Sequence, residues 1–215
     1  MKNDKQLQST SNPFNLLRMQ MLTEQESKHL IHYHKTHQHL RSIGDGSDYK
    51  AINHCHIASL GVRDILNRVA YDACAEIRLS TGQKVYPEMI NLTEWPIGGI
   101  QDPHLDTYSS YELNSGPVDP DANPRREWTM ILHLNSQFSG GRTYFPDQDY
   151  TNQPAEGEAI LFQGIYHKHG VEKVRRCPRH TIAMWFSEDY NNIMTDMITD
   201  HLDIDHLQLR KRFPK

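Results

Sequence analysis

A chain of 215 residues is long enough to bury one sizeable hydrophobic core. Its 27 Asp and Glu outnumber its 23 Lys and Arg, a net charge of -4, which excludes a globally basic nucleic-acid surface. No run approaches the ~20 apolar residues of a membrane span, and three scattered cysteines (Cys55, Cys74, Cys177) give neither a CxxC pair nor an even disulfide framework.

Residues 1–20 are polar, carry Pro13 and read as a loose arm or an added strand, without an apolar core of signal-peptide length. The expectation is a soluble, cytoplasmic protein with no membrane or nucleic-acid partner. Residues 21–82 read as a helical support region. It opens at Thr23, where Glu26 three residues later completes a capping-box pattern, and Leu30, Ile31 and His34 come next at near-helical spacing. The histidines of "HYHKTHQH" have no Cys or carboxylate partner nearby and read as a solvated helix face. "SDYKAIN" reads as a linker. "GVRDILNRVAYDACAEIRLSTG" is the better helix, with Val62, Ile65, Leu66, Val69, Ala70 and Ala73 on one stripe and Gly82 as its stop.

After Gly82 the texture changes. "KVYPEMINLTEW", "EWTMILHLN", "GGRTYFP", "GEAILFQG" and "RHTIAMWF" read as strands separated by Gly, Pro and Asp clusters. Residues 83–188 are therefore expected to form the core domain, and 189–215, with Met194, Met197, Ile198 and His201 at three- and four-residue spacing, a helical tail. The fold class expected is mainly β with flanking α-helices, built on a double-sheet jelly roll, that is, a cupin-like double-stranded β-helix.

The chemistry centres on "HLD". On an extended strand, His104 and Asp106 lie two residues apart and point to one side, where they can converge on an ion. A lone HxD occurs often by chance, so a third ligand must come from downstream. His167 and His169 both qualify, and period-two alternation does not choose between them. The residues downstream of His169 are more specific: Val174, Arg179 and Trp185 succeed it at five, ten and sixteen residues.

Taken together, "HLD", "GGRTYFP", "AILF", "HGVEKV", Arg179 and Trp185, in this order over roughly residues 88–188, resemble the iron(II)- and 2-oxoglutarate-dependent oxygenases of the prolyl 4-hydroxylase branch. The first 80 residues carry no such likeness. The resemblance implies His104, Asp106 and His169 as iron ligands, with open positions on the metal for co-substrate and O2. It implies Arg179 as the grip on the far carboxylate of 2-oxoglutarate, a role suited to a planar, always-charged guanidinium. Thr181, on the same strand face, is a second contact. Two positions depart from the family pattern. His133 stands where a Tyr is usual and keeps a hydrogen-bonding role toward the co-substrate, and Trp95 replaces another Tyr.

The activity implied is hydroxylation of a C–H bond, with prolyl or other peptidyl residues the branch's usual target, coupled to conversion of 2-oxoglutarate to succinate and carbon dioxide. Ascorbate is an expected supporting reductant. A hydroxylase of a free amino acid or metabolite shares every one of these residues. A metal-binding jelly roll without catalysis is the reading from another class, and the complete triad with Arg179 argues against it. The loop "PVDPDANPRREW" is a candidate lid, with Arg125 and Arg126 as candidate substrate contacts, and Trp185 reads as barrel packing.

Overall fold

The computed structural model describes residues 14–43, 49–106 and 126–189. The chain enters through β1 (Leu17–Gln20) and α1 (Glu24–Thr36), then β2 (Ser42–Ile43), β3 (Lys50–Asn53) and α2 (Leu60–Thr81). Ten strands come after α2: β4 (Tyr86–Trp95), β5 (Gln101–His104), β6 (Trp128–His133), β7 (Ser139–Gly140), β8 (Thr143–Phe145), β9 (Tyr150–Thr151), β10 (Glu158–Phe162), β11 (His169–Val171), β12 (Val174–Arg175) and β13 (Arg179–Ser187). They form a seven-stranded sheet in the order β1-β10-β6-β13-β4-β3-β2, a four-stranded sheet β5-β11-β8-β9 and the pair β12-β7. Pairing is antiparallel throughout, and two sheets with α1 and α2 packed on one side match the expected jelly roll.

The large sheet is buried on both faces, which is why its strands read as apolar runs rather than clean alternations. Alternation survives in the choice of neighbours. Met130 and Leu132 of β6, Ala159 and Leu161 of β10, and Ile182 and Met184 of β13 face the helices. There they meet Leu30 of α1 and Val62, Leu66, Val69, Ala73 and Ile77 of α2. Ile160 and Phe162 point the other way and join Phe14, Leu16 and Phe145 in a second, smaller core. The same parity puts Thr93, Trp95, Thr129, Ile131, Arg179, Thr181, Ala183 and Trp185 together on the face away from the helices, where they line a cavity.

Both helices begin or end as their sequences dictate. Thr23 N–H donates to Glu26 Oε2 at 2.8 Å and Glu26 N–H to Thr23 Oγ1 at 3.2 Å, a reciprocal capping box. α2 stops at Gly82, whose φ of 78° is the left-handed conformation glycine adopts freely and whose N–H donates to Arg78 O at 2.9 Å. Arg68 of α2 pairs with Glu26 at 2.6 Å and donates to Met21 O, tying the two helices. No helix among the described residues is long and apolar enough to cross a membrane.

One alternative is selected and two expectations change on this frame. The arm's last residues are an added strand, with Leu17 opposite Leu161 on β10. The segment read as a linker contains β3, where Lys50 lies opposite Glu94 and Ile52 opposite Leu92. The histidine-rich helix is not solvated all round: His29 and His32 are exposed, but His34 is fully buried beneath α1. Burial pushes the imidazoles of His34 and His180 down, to about 4 and about 3, so both are neutral at neutral pH. The tail 190–215 lies outside the described residues.

Candidate active site

β5 and β11 pair so that His104 and His169 are direct cross-strand neighbours, with ring centroids 4.5 Å apart. Asp106, just past the end of β5, completes the group. Its carboxylate oxygens lie 3.7 Å from His104 Nε2 and 3.6 Å from His169 Nε2. The outer nitrogens are fixed: His104 Nδ1 meets Asp102 O at 3.0 Å and His169 Nδ1 meets His167 O at 3.1 Å. Only an N–H can meet a carbonyl, so both Nδ1 atoms carry the proton and both Nε2 lone pairs point at Asp106. Lone pairs facing a carboxylate, with the tautomer set by a backbone carbonyl, are what a divalent transition ion requires of its ligands. The donor set is thus chemically fit for iron(II).

Asp106 is held from several sides. Its N–H donates to Gly164 O at 3.1 Å, and Thr129 Oγ1 donates to its Oδ2. Burial by itself raises the Asp106 carboxyl, while His169 and His104, whenever those rings carry a proton, and the Thr129 hydroxyl lower it, leaving it below its ordinary range. Burial lowers the His169 imidazole, with the Asp106 charge opposing, so its neutral, ligating form prevails. Gly164 approaches so closely that a Cβ there would collide with the Thr129 hydroxyl and the Asp106 carboxylate. Phe162 packs edge-on against the His169 ring at 4.7 Å.

The triad opens into a cavity also lined by Tyr49, Thr143, Trp95, Arg179, Thr181 and Trp185. Arg179 is 1% exposed. Among the described residues, its one side-chain hydrogen bond is from Nη2 to Thr143 Oγ1 at 3.2 Å; its Nε is buried with no partner, and no acid neutralises it. Burial alone lowers the guanidinium to about 9, still charged at neutral pH. A buried cation without a counter-ion is costly unless a ligand supplies the anion. Arg179 stands opposite Trp95 on β4, with the guanidinium over the indole at 5.7 Å. Thr181 is opposite both Thr93 and His133. A carboxylate ligand such as the far end of 2-oxoglutarate fits these donors.

Other expected positions fall differently. His133 shares the strand face of Thr129 and Ile131 but lies beyond the cavity lining, fully buried, with Nε2 unpartnered among the described residues. Burial and then the Arg179 charge push it down to about 3. His167 does not share a strand face with His169, because β11 begins at His169 and His167 sits in the preceding turn. Its ring packs 5.0 Å from Phe14, while its carbonyl orients the His169 ring. Arg126 lies over the Trp185 ring at 5.0 Å and pairs with Glu88 at 2.9 Å, so its charge is already engaged rather than free for an anionic substrate. Arg125 and the rest of the candidate lid, through residue 125, lie outside the described residues. Trp185 lines the cavity rather than serving only as packing.

Sequence reasoning missed Tyr49, Thr129 and Gly164. Tyr49 lay in the supposed linker, and the other two matter through tertiary approaches that no local pattern encodes. Thr143 was inside the quoted "GGRTYFP" and needed only a role.

No family model matches the chain. Over 77 residues it is 39% identical to prolyl 3-hydroxylase 1 from Gallus gallus, covering 33% of this chain and 11% of that protein. The chain thus spans about a tenth of the length of the curated relatives it matches. Among solved structures it superposes on a viral collagen prolyl hydroxylase from Paramecium Bursaria Chlorella virus-1 in its 2OG complex, with a TM-score of 0.59, 18% identity, and 80% of this chain and 94% of that one covered. A 2OG-Fe(II) oxygenase family oxidoreductase from Burkholderia pseudomallei gives a TM-score of 0.59 at 15% identity over 81% of this chain and 86% of that one. At such identities the structural likeness is one of fold. Over that stretch of sequence the chain is similar to prolyl 3-hydroxylases, and its fold is that of the viral collagen prolyl hydroxylase and the 2OG-Fe(II) oxygenase family oxidoreductase.

Proposed function

We propose that the protein is an iron(II)- and 2-oxoglutarate-dependent dioxygenase that hydroxylates a prolyl residue of a protein or peptide and releases succinate and carbon dioxide. The observation that carries this reading is the buried, unneutralised Arg179 sharing one cavity with a triad of two imidazoles and a carboxylate. His104, Asp106 and His169 hold the metal. Arg179, buttressed by Thr143, holds the far carboxylate of 2-oxoglutarate, and Thr181 adds a hydroxyl. Trp95 and Tyr49 wall the cavity and exclude water from that ion pair, which strengthens it. Bound iron(II) and 2-oxoglutarate together supply the activation of O2 and the oxidising power for C–H hydroxylation. Asp106, kept ionised by its neighbours, needs no proton loss before taking a cation.

A peptide rather than a free amino acid is favoured by exposed apolar side chains in the segments that carry the site. Ile97 and Ile100 precede β5, and Tyr166 precedes His169, apolar side chains that an extended substrate would have to cover and a free amino acid would not. The three free cysteines support a cytoplasmic location.

The test is succinate formation by the purified chain with iron(II), 2-oxoglutarate and ascorbate, the last to keep the iron reduced, against proline-rich peptides and free amino acids. We expect slow uncoupled turnover alone, acceleration by a peptide, and a peptide mass increase of one oxygen. Acceleration by a free amino acid only would replace the peptide reading. No succinate from protein shown to hold iron would remove the enzyme reading and leave a binding module.

A further inference from the structure

A second group of two histidines and a carboxylate lies on the helix face of the large sheet, the side away from the cavity. Glu94 of β4 lies opposite His180 of β13 in register, and His34 of α1 descends onto them. Glu94 Oε2 is 3.8 Å from His34 Nδ1 and 3.8 Å from His180 Nε2, and one ligand atom from each residue lies within 4.8 Å of the others. Strand parity separates this group from the cavity. His180 projects between Arg179 and Thr181 but to the helix side, as Glu94 does between Thr93 and Trp95.

One of the two imidazoles faces the carboxylate with an atom of the wrong sign to do so unaided. His34 Nε2 meets Lys50 O at 3.1 Å, so Nε2 carries the proton and Nδ1 is a bare lone pair. That lone pair is buried with no hydrogen-bond partner among the described residues and points at a carboxylate oxygen. His34 itself is 0% exposed. Two acceptors face each other with nothing positive between them, as Nε2 of His104 and of His169 face Asp106 across 3.6–3.7 Å in the cavity. The nearby cation Arg41 does not resolve this. Its Nη2 is 3.9 Å from Glu94 Oε2, beyond hydrogen-bond reach, and it donates instead to His34 O at 2.8 Å.

We propose that His34, Glu94 and His180 form a second metal site, for a divalent ion of zinc type, which clamps α1 to the back of the sheet behind Arg179 and Thr181. Two imidazoles and one carboxylate are ligands that zinc, cobalt(II) or nickel(II) takes in preference to calcium or magnesium. Zinc–ligand bonds of about 2.0–2.2 Å put tetrahedral donors about 3.4 Å apart, so each imidazole closes on Glu94 by a few tenths of an ångström on binding. Helix cover makes the site structural. It joins a helix that lies outside the stretch carrying the sequence motifs to the strand that bears the co-substrate residues. The site does not depend on the function proposed above.

Zinc bound per chain, measured after chelation, reloading and gel filtration, tests it. We expect two equivalents in the wild type, one in Asp106→Ala, and none in Asp106→Ala/His34→Gln. Glu94→Gln alone, which keeps side-chain shape, should hold one. Zinc should raise the Tm of Asp106→Ala, and His34→Gln in that background should abolish the rise. Asp106→Ala that takes up no zinc overturns the proposal. So does zinc retained by Asp106→Ala/His34→Gln, or lost from Asp106→Ala on His32→Gln, which would place the ion on the exposed face of α1.

Discussion

Two groups with the same three ligand types lie on opposite sides of the large sheet, one on the small sheet across the cavity and one beneath α1, and their surroundings differ. On the cavity face, the triad is built from strand ends: His104 closes β5, His169 opens β11, and Asp106 lies in the loop after β5. Polar neighbours support it, and the space beyond it is lined by an unneutralised Arg179. On the helix face, Glu94 and His180 pair one residue from the ends of two long strands, and His34 lies within α1, which covers them. The difference teaches that ligand type alone does not make an active site. Access and an uncompensated partner for the co-substrate do.

The largest effect that separates the faces is loss of activity. Asp106→Ala, His104→Ala or His169→Ala should abolish succinate formation, whereas His167→Ala should leave most of it, since its carbonyl, not its ring, serves His169. A dead His167→Ala beside an active His169→Ala would reverse the ligand assignment. Next is Arg179→Ala. A charge-assisted contact is worth about 1.5–3 kcal/mol, so the KM for 2-oxoglutarate should rise roughly tenfold to a hundredfold while iron affinity holds. An unchanged KM would break the claim that the buried charge awaits a carboxylate. Gly164→Ala comes third. It leaves every ligand in place but forces a Cβ against Asp106 and Thr129, and disturbances of ligand support typically cost about 10- to 100-fold. Near wild-type turnover, with near-native CD, would show that the loop yields.

How much of this was legible in the sequence depends on how local each signal is. Thr23 with Glu26, Gly82 as a stop, and the five apolar strand runs are statements about neighbouring residues, and each marks a real element. The triad could be picked out because its members sit in motifs whose order is itself a pattern. Lys50–Asn53 was not legible as a strand, since four residues beside a Gly- and Asp-rich stretch look like a connection until Glu94 and Leu92 pair with them. His34 was hidden by its type: the helical period puts it beside Leu30, but a histidine among histidines reads as polar. Arg126 looked free because Glu88, its partner, is 38 residues away.

Acid should sharpen the comparison at a group near both faces' chemistry. His133 sits at about 3 in the folded chain against about 6.5 ordinarily, because burial and then Arg179 oppose its charge. Between these values the unfolded chain binds the proton and the folded chain does not. The stability contributed is therefore complete above about pH 6.5 and is lost as pH falls toward 3. In chelator-treated protein, His133→Tyr should reduce the loss of urea stability between pH 6.5 and 5.5 by about 1 kcal/mol, one proton's worth. An unaltered slope would mean that His133 accepts a proton in place.

The smallest effect belongs wholly to the helix face. Thr23→Ala removes the hydroxyl that accepts from Glu26 N–H and donates to the Glu26 carboxylate, leaving only the backbone N–H of residue 23 on that carboxylate. Cap losses of this kind cost about 1 kcal/mol. Because Glu26 also pairs with Arg68, part of the helix-to-helix tie survives and the cost should stay near that value. The urea midpoint should fall by that amount with no change in the KM for 2-oxoglutarate, since β4 and β13 present Trp95, Arg179 and Thr181 from the other side of the sheet. If that KM moved with the cap, the position of α1 would be transmitted through the sheet to the co-substrate residues. The two faces would then be one coupled unit rather than two sites sharing a wall.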